Sequence, residues 1–293
     1  MDKSIALVLV LAGACRAAGA QTPTVNPMPD GSRDMYVGLG AVSAPAWEGA
    51  WRRRVSALPV LQVEWSNGMF ISGLKAGMHL SHDGAVEFGP LLAFQPRRSE
   101  SGVQNGIGGV TSLGGPQPST AAPPLDGQLG AGAKRSDNRL AGLDAVRARV
   151  LGGAFLNVYL TPEVRLTSEL LYGSGNARQG ARLALGVQRL ALAIAPHHSL
   201  SFSVGATLAN RSDSQAYFGI SDDEAARSGN PAYDARGGLR AVNAGARWNW
   251  SLAPAWMLST GVQFSHLAGS SARSPLVQRP NAATLSTALA VRF

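Results

Sequence analysis

From Val146 to Leu160 the chain alternates for fifteen residues. Val146, Ala148, Val150, Ala154, Leu156, Val158 and Leu160 fall in one set, and Arg147, Arg149, Leu151, Gly153, Phe155, Asn157 and Tyr159 in the other. A period of two marks a β-strand whose faces meet different surroundings. Globular strands average about five to six residues; a tilted strand crossing a bilayer needs about nine to eleven. This stretch therefore fits a strand that crosses a membrane and projects beyond it.

The same period recurs along the chain. At the C-terminus, Leu285, Thr287, Leu289, Val291 and Phe293 alternate with Thr284, Ser286, Ala288, Ala290 and Arg292. Leu200, Phe202, Val204, Ala206 and Leu208 oppose Ser201, Ser203, Gly205 and Thr207, and Val242 to Leu252 behaves alike. One face is apolar and the other small or polar, with Arg, Gln, Asn and Glu in mid-strand. A soluble sandwich would turn the apolar face onto a core; an outer-membrane barrel turns it to lipid. Outside the N-terminus no run of about eighteen apolar residues occurs, which argues against a helical membrane protein. Glycine is abundant, at 35 residues, and only 15% of residues are charged, as expected where half of each strand meets lipid. The fold class predicted is all-β: a transmembrane antiparallel up-and-down β-barrel of about twelve strands with long extracellular loops.

Residues 1–20 read as a signal peptide. Lys3 gives the positive end, Ile5 to Ala12 the apolar core, and Ala18-Gly19-Ala20 the small-x-small cleavage site. A lipoprotein signal ending at Cys15 is the alternative, but Leu11 stands four residues before the cysteine rather than three. Residues 21–34 are Pro-rich and read as a flexible mature N-terminus, leaving 35–293 as the barrel. The one cysteine excludes a disulfide framework. The net charge of +8 comes largely from scattered arginines, without the clustering that nucleic-acid binding needs. Arg52, Arg53 and Arg54 are candidates for contact with anionic lipid and lipopolysaccharide, against the reading of a solvated loop cluster.

Eleven strand segments are clear, while bacterial barrels have even strand numbers. The twelfth is either Ser214 to Ile220 or a division of Met69 to Leu80 into a hairpin. Pro90, lacking an amide donor, predicts a bulge or weak pairing. Two long connections stand out. Residues 97–142 are rich in Gly, Pro, Ser and Ala and read as a low-complexity disordered loop. Residues 209–239 are charged, and their Tyr217, Phe218 and Ile220 read equally as a lumenal plug or as that twelfth strand. Trp248, Trp250 and Trp256 surround one turn, as an interfacial aromatic girdle would.

Several stretches resemble the MipA/OmpV family of outer-membrane proteins. They are Tyr217-Phe218-Gly219-Ile220-Ser221, Ala226-Arg227-Ser228-Gly229, the strands holding Trp248 and Trp256, and Ser274-Pro275-Leu276-Val277. The opening Gly38-Leu39-Gly40, the loop with Pro45, Trp47, Glu48 and Gly49, and Leu58-Pro59 are similar too. The chain departs from the pattern in its long insert and in Val291, where an aromatic often stands. The resemblance implies an outer-membrane barrel. The family's namesake is a scaffold holding a murein lytic transglycosylase near a bifunctional murein synthase, so those enzymes are expected partners here. The terminal Phe293 is expected to act as an insertion signal read by the barrel-assembly machinery.

The strongest enzymatic candidate is His79-Leu80-Ser81-His82-Asp83. His79 and Ser81 share a strand face, and an imidazole can take a serine proton, as in barrel lipid hydrolases. Without an orienting acid or an oxyanion hole in the sequence, the chain reads as non-enzymatic, with no cofactor. A small-solute porin is the main alternative function, and a lipid hydrolase using His79 and Ser81 the second. His197-His198 lacks the Cys or carboxylate neighbours of a metal site and reads as a solvated turn.

Overall fold

The computed structural model describes residues 33–81, 85–103 and 138–293. The expected signal peptide, most of the segment 21–34 expected to be flexible, the turn His82-Asp83-Gly84 and most of residues 97–142 lie outside those residues. Fourteen strands are described: β1 (Arg33–Pro45), β2 (Arg53–Trp65), β3 (Met69–Ser72), β4 (Lys75–Met78), β5 (Val86–Gln95), β6 (Arg98–Ser99), β7 (Gly102–Val103), β8 (Arg149–Thr161), β9 (Val164–Ser174), β10 (Gly180–Ala195), β11 (His198–Ala209), β12 (Gly238–Ala253), β13 (Trp256–Leu267) and β14 (Asn281–Arg292). Twelve of them close an antiparallel barrel in the order β1-β14-β13-β12-β11-β10-β9-β8-β5-β4-β3-β2, while β6 and β7 form a separate hairpin. The helices are short: α1 (Arg211–Phe218), α2 (Asp222–Ser228) and α3 (Gly269–Ala272). No helix among the described residues is long and apolar enough to cross a membrane.

The twelfth strand comes from the division of Met69 to Leu80. Gly73 takes φ +58° and lets β3 turn directly into β4. The other option is overturned, because Ser214 to Phe218 is helical and Ile220 makes only an isolated bridge to Tyr233. Nor does Pro90 cause a bulge toward β8, where it pairs in register with Ala154. Its lost donor matters on the other edge, where the β4 ladder stops at Leu91.

Side-chain parity follows the sequence. Leu39 and Val55 project outward and are 73% and 74% exposed, and Phe88, Leu156, Val204, Phe264 and Leu285 share that surface. In water such a girdle of exposed large side chains would be a liability; in hydrocarbon it is the solvent-matched face. The closing seam pairs Tyr36 through Ser43 with Arg292 through Leu285. It is tight: a Cβ on Gly38 would stand 2.1 Å from the Leu289 carbonyl oxygen. Both ends of the barrel chain lie at the end with short turns, where the Phe293 amide donates to Met35 O. The longer connections gather at the opposite, extracellular end.

Candidate functional site

The extracellular mouth is covered by a cap built from four connections. Asn210 caps α1 with its side chain on the Asp213 amide, and Ser221 with Glu224 forms a capping box on α2. After α1 the chain passes through Gly219, where a Cβ would collide with the Gln215 side chain at 2.2 Å. Phe218 and Ile220 are buried. Ile220 packs with Trp47, Leu140, Leu143 and Leu276. Ser274 Oγ donates to Phe218 O (2.6 Å), and Trp47 Nε1 donates to Leu276 O (3.2 Å). Pro275 sits between these two anchors. Gly49 takes φ +92° beneath Val277, and its carbonyl receives the Gln278 amide. Stretches more than two hundred residues apart in the chain thus form one lid.

Below the lid α1 lowers a charged plug into the lumen. Asp213 is wholly buried. It pairs with Arg240 through Nη1 and accepts from Ser174 Oγ (2.5 Å). Arg182 Nε stands 3.1 Å from Oδ1, the oxygen that accepts from Ser174, but off the hydrogen-bond axis, so that contact is electrostatic. Arg240 also grips Glu48, 2.7 Å away. The Tyr217 ring lies 5.0–5.7 Å from the guanidinium carbons of Arg240, Arg182 and Arg98. Its hydroxyl takes a bond from Gln95, which in turn accepts from Arg182. Burial pushes the Tyr217 phenol up to about 12, against the opposing pull of Arg182 and Arg240. Arg98 donates to Tyr217 O (2.5 Å) and is held below its ordinary range by burial.

Deeper in the barrel, inward side chains of the described strands pair with one another. Lys75 meets Glu169 at 2.5 Å. Arg165, fully buried, donates to Gln188 Oε1 and to Tyr159 Oη and pairs with Glu87 at 3.4 Å. Glu87 also accepts from Tyr159 (2.6 Å) and Asn157 (3.1 Å). Between the plug and this layer lies a cavity of about 240 Å³.

A family model described as MltA-interacting protein MipA matches residues 37–293. The chain belongs to this family. Of the stretches that resemble the family, those with Trp47, Phe218, Ile220 and Ser274 to Val277 meet in the lid, while Gly38-Leu39-Gly40, Leu58-Pro59, Trp248 and Trp256 lie in barrel strands. Among solved structures the barrel is similar to the Pseudomonas putida toluene transporter TodX, at 11% identity over 90% of this chain and 89% of that one, with a TM-score of 0.36. It is also similar to an outer membrane channel, COG4313, from Pseudomonas putida F1, at 13% identity over 92% and 99% of the two chains, with a TM-score of 0.38. A bacterial polysaccharide outer membrane secretin aligns at 8% identity over 90% and 99%, with a TM-score of 0.44. These likenesses concern fold alone. No curated protein matches the sequence. By family and by its closed strand order, this chain is an outer-membrane β-barrel.

The sequence-predicted residues fall in different places. Tyr217, Phe218 and Ile220 form the plug and lid rather than a strand. The arginine run splits. Arg52 is exposed at the extracellular rim. Arg53 lies on the outer wall, with its guanidinium already bonded to Ser43 O (2.8 Å) and Ala283 O (2.6 Å). Arg54 does not belong with them, because strand parity turns it inward, where it donates to Ser101 O (3.0 Å) and lines the cavity. Trp248 and Trp250 stack around His198 at centroid distances of 5.6 and 5.3 Å, with Trp256 exposed on the next strand at the same end. His198 is thus part of an aromatic stack and not a solvated turn residue. His79 does not engage Ser81. Its ring packs against Phe70 (5.0 Å) and Phe155 (5.1 Å), and its Nδ1 is buried without a partner among the described residues. No cluster of three metal-ligating side chains occurs among the described residues. Asp213, Arg240 and Arg182 were missed, although Asn210 and Ser221-x-x-Glu224 are helix-start signals that place α1 and α2.

Proposed function

We propose that this MipA chain is a non-catalytic, non-conducting barrel that serves the cell envelope as a scaffold for murein-processing enzymes. The observation that carries this reading is the filled lumen, with Asp213 and Arg240 at one level and Arg165 with Glu87 at another. Two buried ionic layers under a lid stand in the path a solute would take, whereas a platform needs only a rigid body anchored in the membrane. The family's description as an MltA-interacting protein supports a murein lytic transglycosylase as partner, and a bifunctional murein synthase is the second partner expected. The short-turn end faces these enzymes, and the leader delivers the chain to the assembly machinery, with Phe293 as its terminal signal. Pull-down from crosslinked envelopes should recover both enzymes; recovery of neither would refute the scaffold. The cavity keeps a small-solute pore as the competing reading. Discrete conductance steps of the purified protein in planar bilayers would favour it over the platform.

A further inference from the structure

The outward side chains change character together toward the extracellular rim. On β2 the outer column runs from the exposed Val55 up to Arg53, on β14 from Leu285 through Ala283 to Asn281, and on β13 from Phe264 to His266. Ser43 tops the outer column of β1 and pairs with Val55 on one side and Leu285 on the other. Neighbouring columns thus pass from large apolar to polar or charged within one or two steps. Such a line is where hydrocarbon gives way to lipid headgroups.

Arg53 is locked at this line. Its Nε donates to Ser43 Oγ (3.2 Å), its Nη1 to Ala283 O (2.6 Å), and its Nη2 to Ser43 O (2.8 Å) and Oγ (3.0 Å). These bonds use at most four of the five N–H groups of a guanidinium, leaving one on Nη1. Every acceptor is neutral, and no carboxylate pairs with Arg53 among the described residues. The charge is therefore held rigidly by residues of β1 and β14, exposed and uncompensated. On the adjoining strands His266 Nδ1 lies 2.6 Å from Asn281 Oδ1. In the loops above, Arg52 and Arg279 are exposed, and neither side chain has a bonded partner among the described residues. Those loops are tied together: the Arg279 amide donates to Gly49 O (3.0 Å) and the Trp51 amide to Gln278 Oε1 (3.1 Å). Trp51 is itself half exposed, and tryptophan favours the headgroup level.

The wider charge distribution agrees. At the extracellular end Arg147, Arg178 and Arg236 are also exposed, with no side-chain partner among the described residues. The carboxylates Asp144, Asp234 and Glu48 of that end are taken by Arg227, Arg211 and Arg240, and Asp222 and Asp223 stand in the first turn of α2. At the short-turn end Arg189 has Glu163 and Arg292 has Asp34, which leaves Arg33. Free positive charge thus gathers at the end beside the outer leaflet, where clustered arginines attract anionic headgroups.

We propose that Arg53, Arg52 and Arg279 form a docking site on the outer wall for a phosphorylated lipid of the outer leaflet, of the lipopolysaccharide type. A phosphate oxygen accepts the remaining Nη1 N–H of Arg53, Arg52 and Arg279 approach it from the tied loops, and the acyl chains run down past Val55 and Leu285. Arg54, turned into the lumen, takes no part, and Arg279 from the far end of the chain supplies the third cation. The site does not depend on the murein-enzyme reading, and either can fail alone.

The test titrates the full chain in zwitterionic detergent with lipid A bearing both phosphates, with dephosphorylated lipid A and with inorganic phosphate, read by native mass spectrometry. A saturable adduct with phosphorylated lipid A is expected, the other two binding at least about tenfold more weakly. Arg53→Gln should weaken lipid A binding about tenfold, as should Arg52→Gln combined with Arg279→Gln. Arg53→Lys, which keeps the charge, should lose less, and Arg236→Gln, which removes a free cation from the cap, should lose nothing. If Arg53→Gln does not fold, the double variant carries the same comparison. Equal binding of dephosphorylated lipid A would remove the arginines from the site, and equal binding of inorganic phosphate would remove the lipid. A loss in Arg236→Gln matching that in Arg53→Gln would reduce the site to diffuse charge. Lack of a saturable adduct would overturn the proposal whole.

Discussion

Replacing Asp213 by alanine should unseat the plug. The carboxylate is wholly buried and holds Arg240, Arg182 and the Ser174 hydroxyl. Removing one member of a buried ion pair costs about 3–5 kcal/mol, because the remaining charge is stranded, and the lost Ser174 bond adds about 1 kcal/mol. Glu48 offsets part of this, since Arg240 keeps its bonds to that side chain. A net of about 3 kcal/mol is left, which moves the seated-to-unseated equilibrium by roughly a hundredfold. Hydrogen exchange of the α1 and α2 amides reads this directly, and planar-bilayer current reads whether the unseated plug leaves a conducting path. Glu163→Gln is the control: its pair with Arg189 is exposed on both sides and should cost about 0–1 kcal/mol. If α1 exchanges no faster in Asp213→Ala than in the parent or the control, the plug is held by the apolar lid alone, and the reasoning from the buried charge is wrong.

Alkaline pH should loosen the same element through Tyr217. The unseated phenol titrates near 10 and the seated one near about 12. The neutral form is therefore favoured in place, and seating is fully stable below pH 10. It weakens about tenfold per pH unit between about 10 and 12, and Tyr217→Phe should flatten that slope in an exchange-against-pH series. On the outer wall, Leu156→Lys and Val204→Lys should each cost about 2–4 kcal/mol in refolding into lipid vesicles; normal folding of both would mean that those faces do not meet lipid. At the seam, Gly38→Val should abolish the heat-resistant folded band on cold electrophoresis, because its Cβ has no room before Leu289 O.

Much of this molecule was legible because a barrel obeys parity. Once Val55 is known to face out, Arg53 must face out and Arg54 in, so grouping the arginines as one patch ignored a rule already in use. The plug was harder. Arg211 to Gln215 is a polar run, and only Asn210 and the Ser221-Glu224 box announce helices there, so Tyr217 and Phe218 read equally as strand residues. The pairs Arg165–Glu87 and Asp213–Arg240 join strands distant in sequence or a loop to a strand. Charge alone does not reveal them without the register. Arg240 is further hidden by the irregularity between Thr207 and Leu208, which shifts the β12 alternation just where it matters.

The seam carries one last implication. The partner of Tyr36 is Arg292, so the earliest strand waits for nearly the whole polypeptide before its free edge is covered. Loss of the final dozen residues would not trim the cylinder but split it, leaving β1 and β13 as two raw borders in oil. Any copy cut short in β14 becomes a ready template for joining with another.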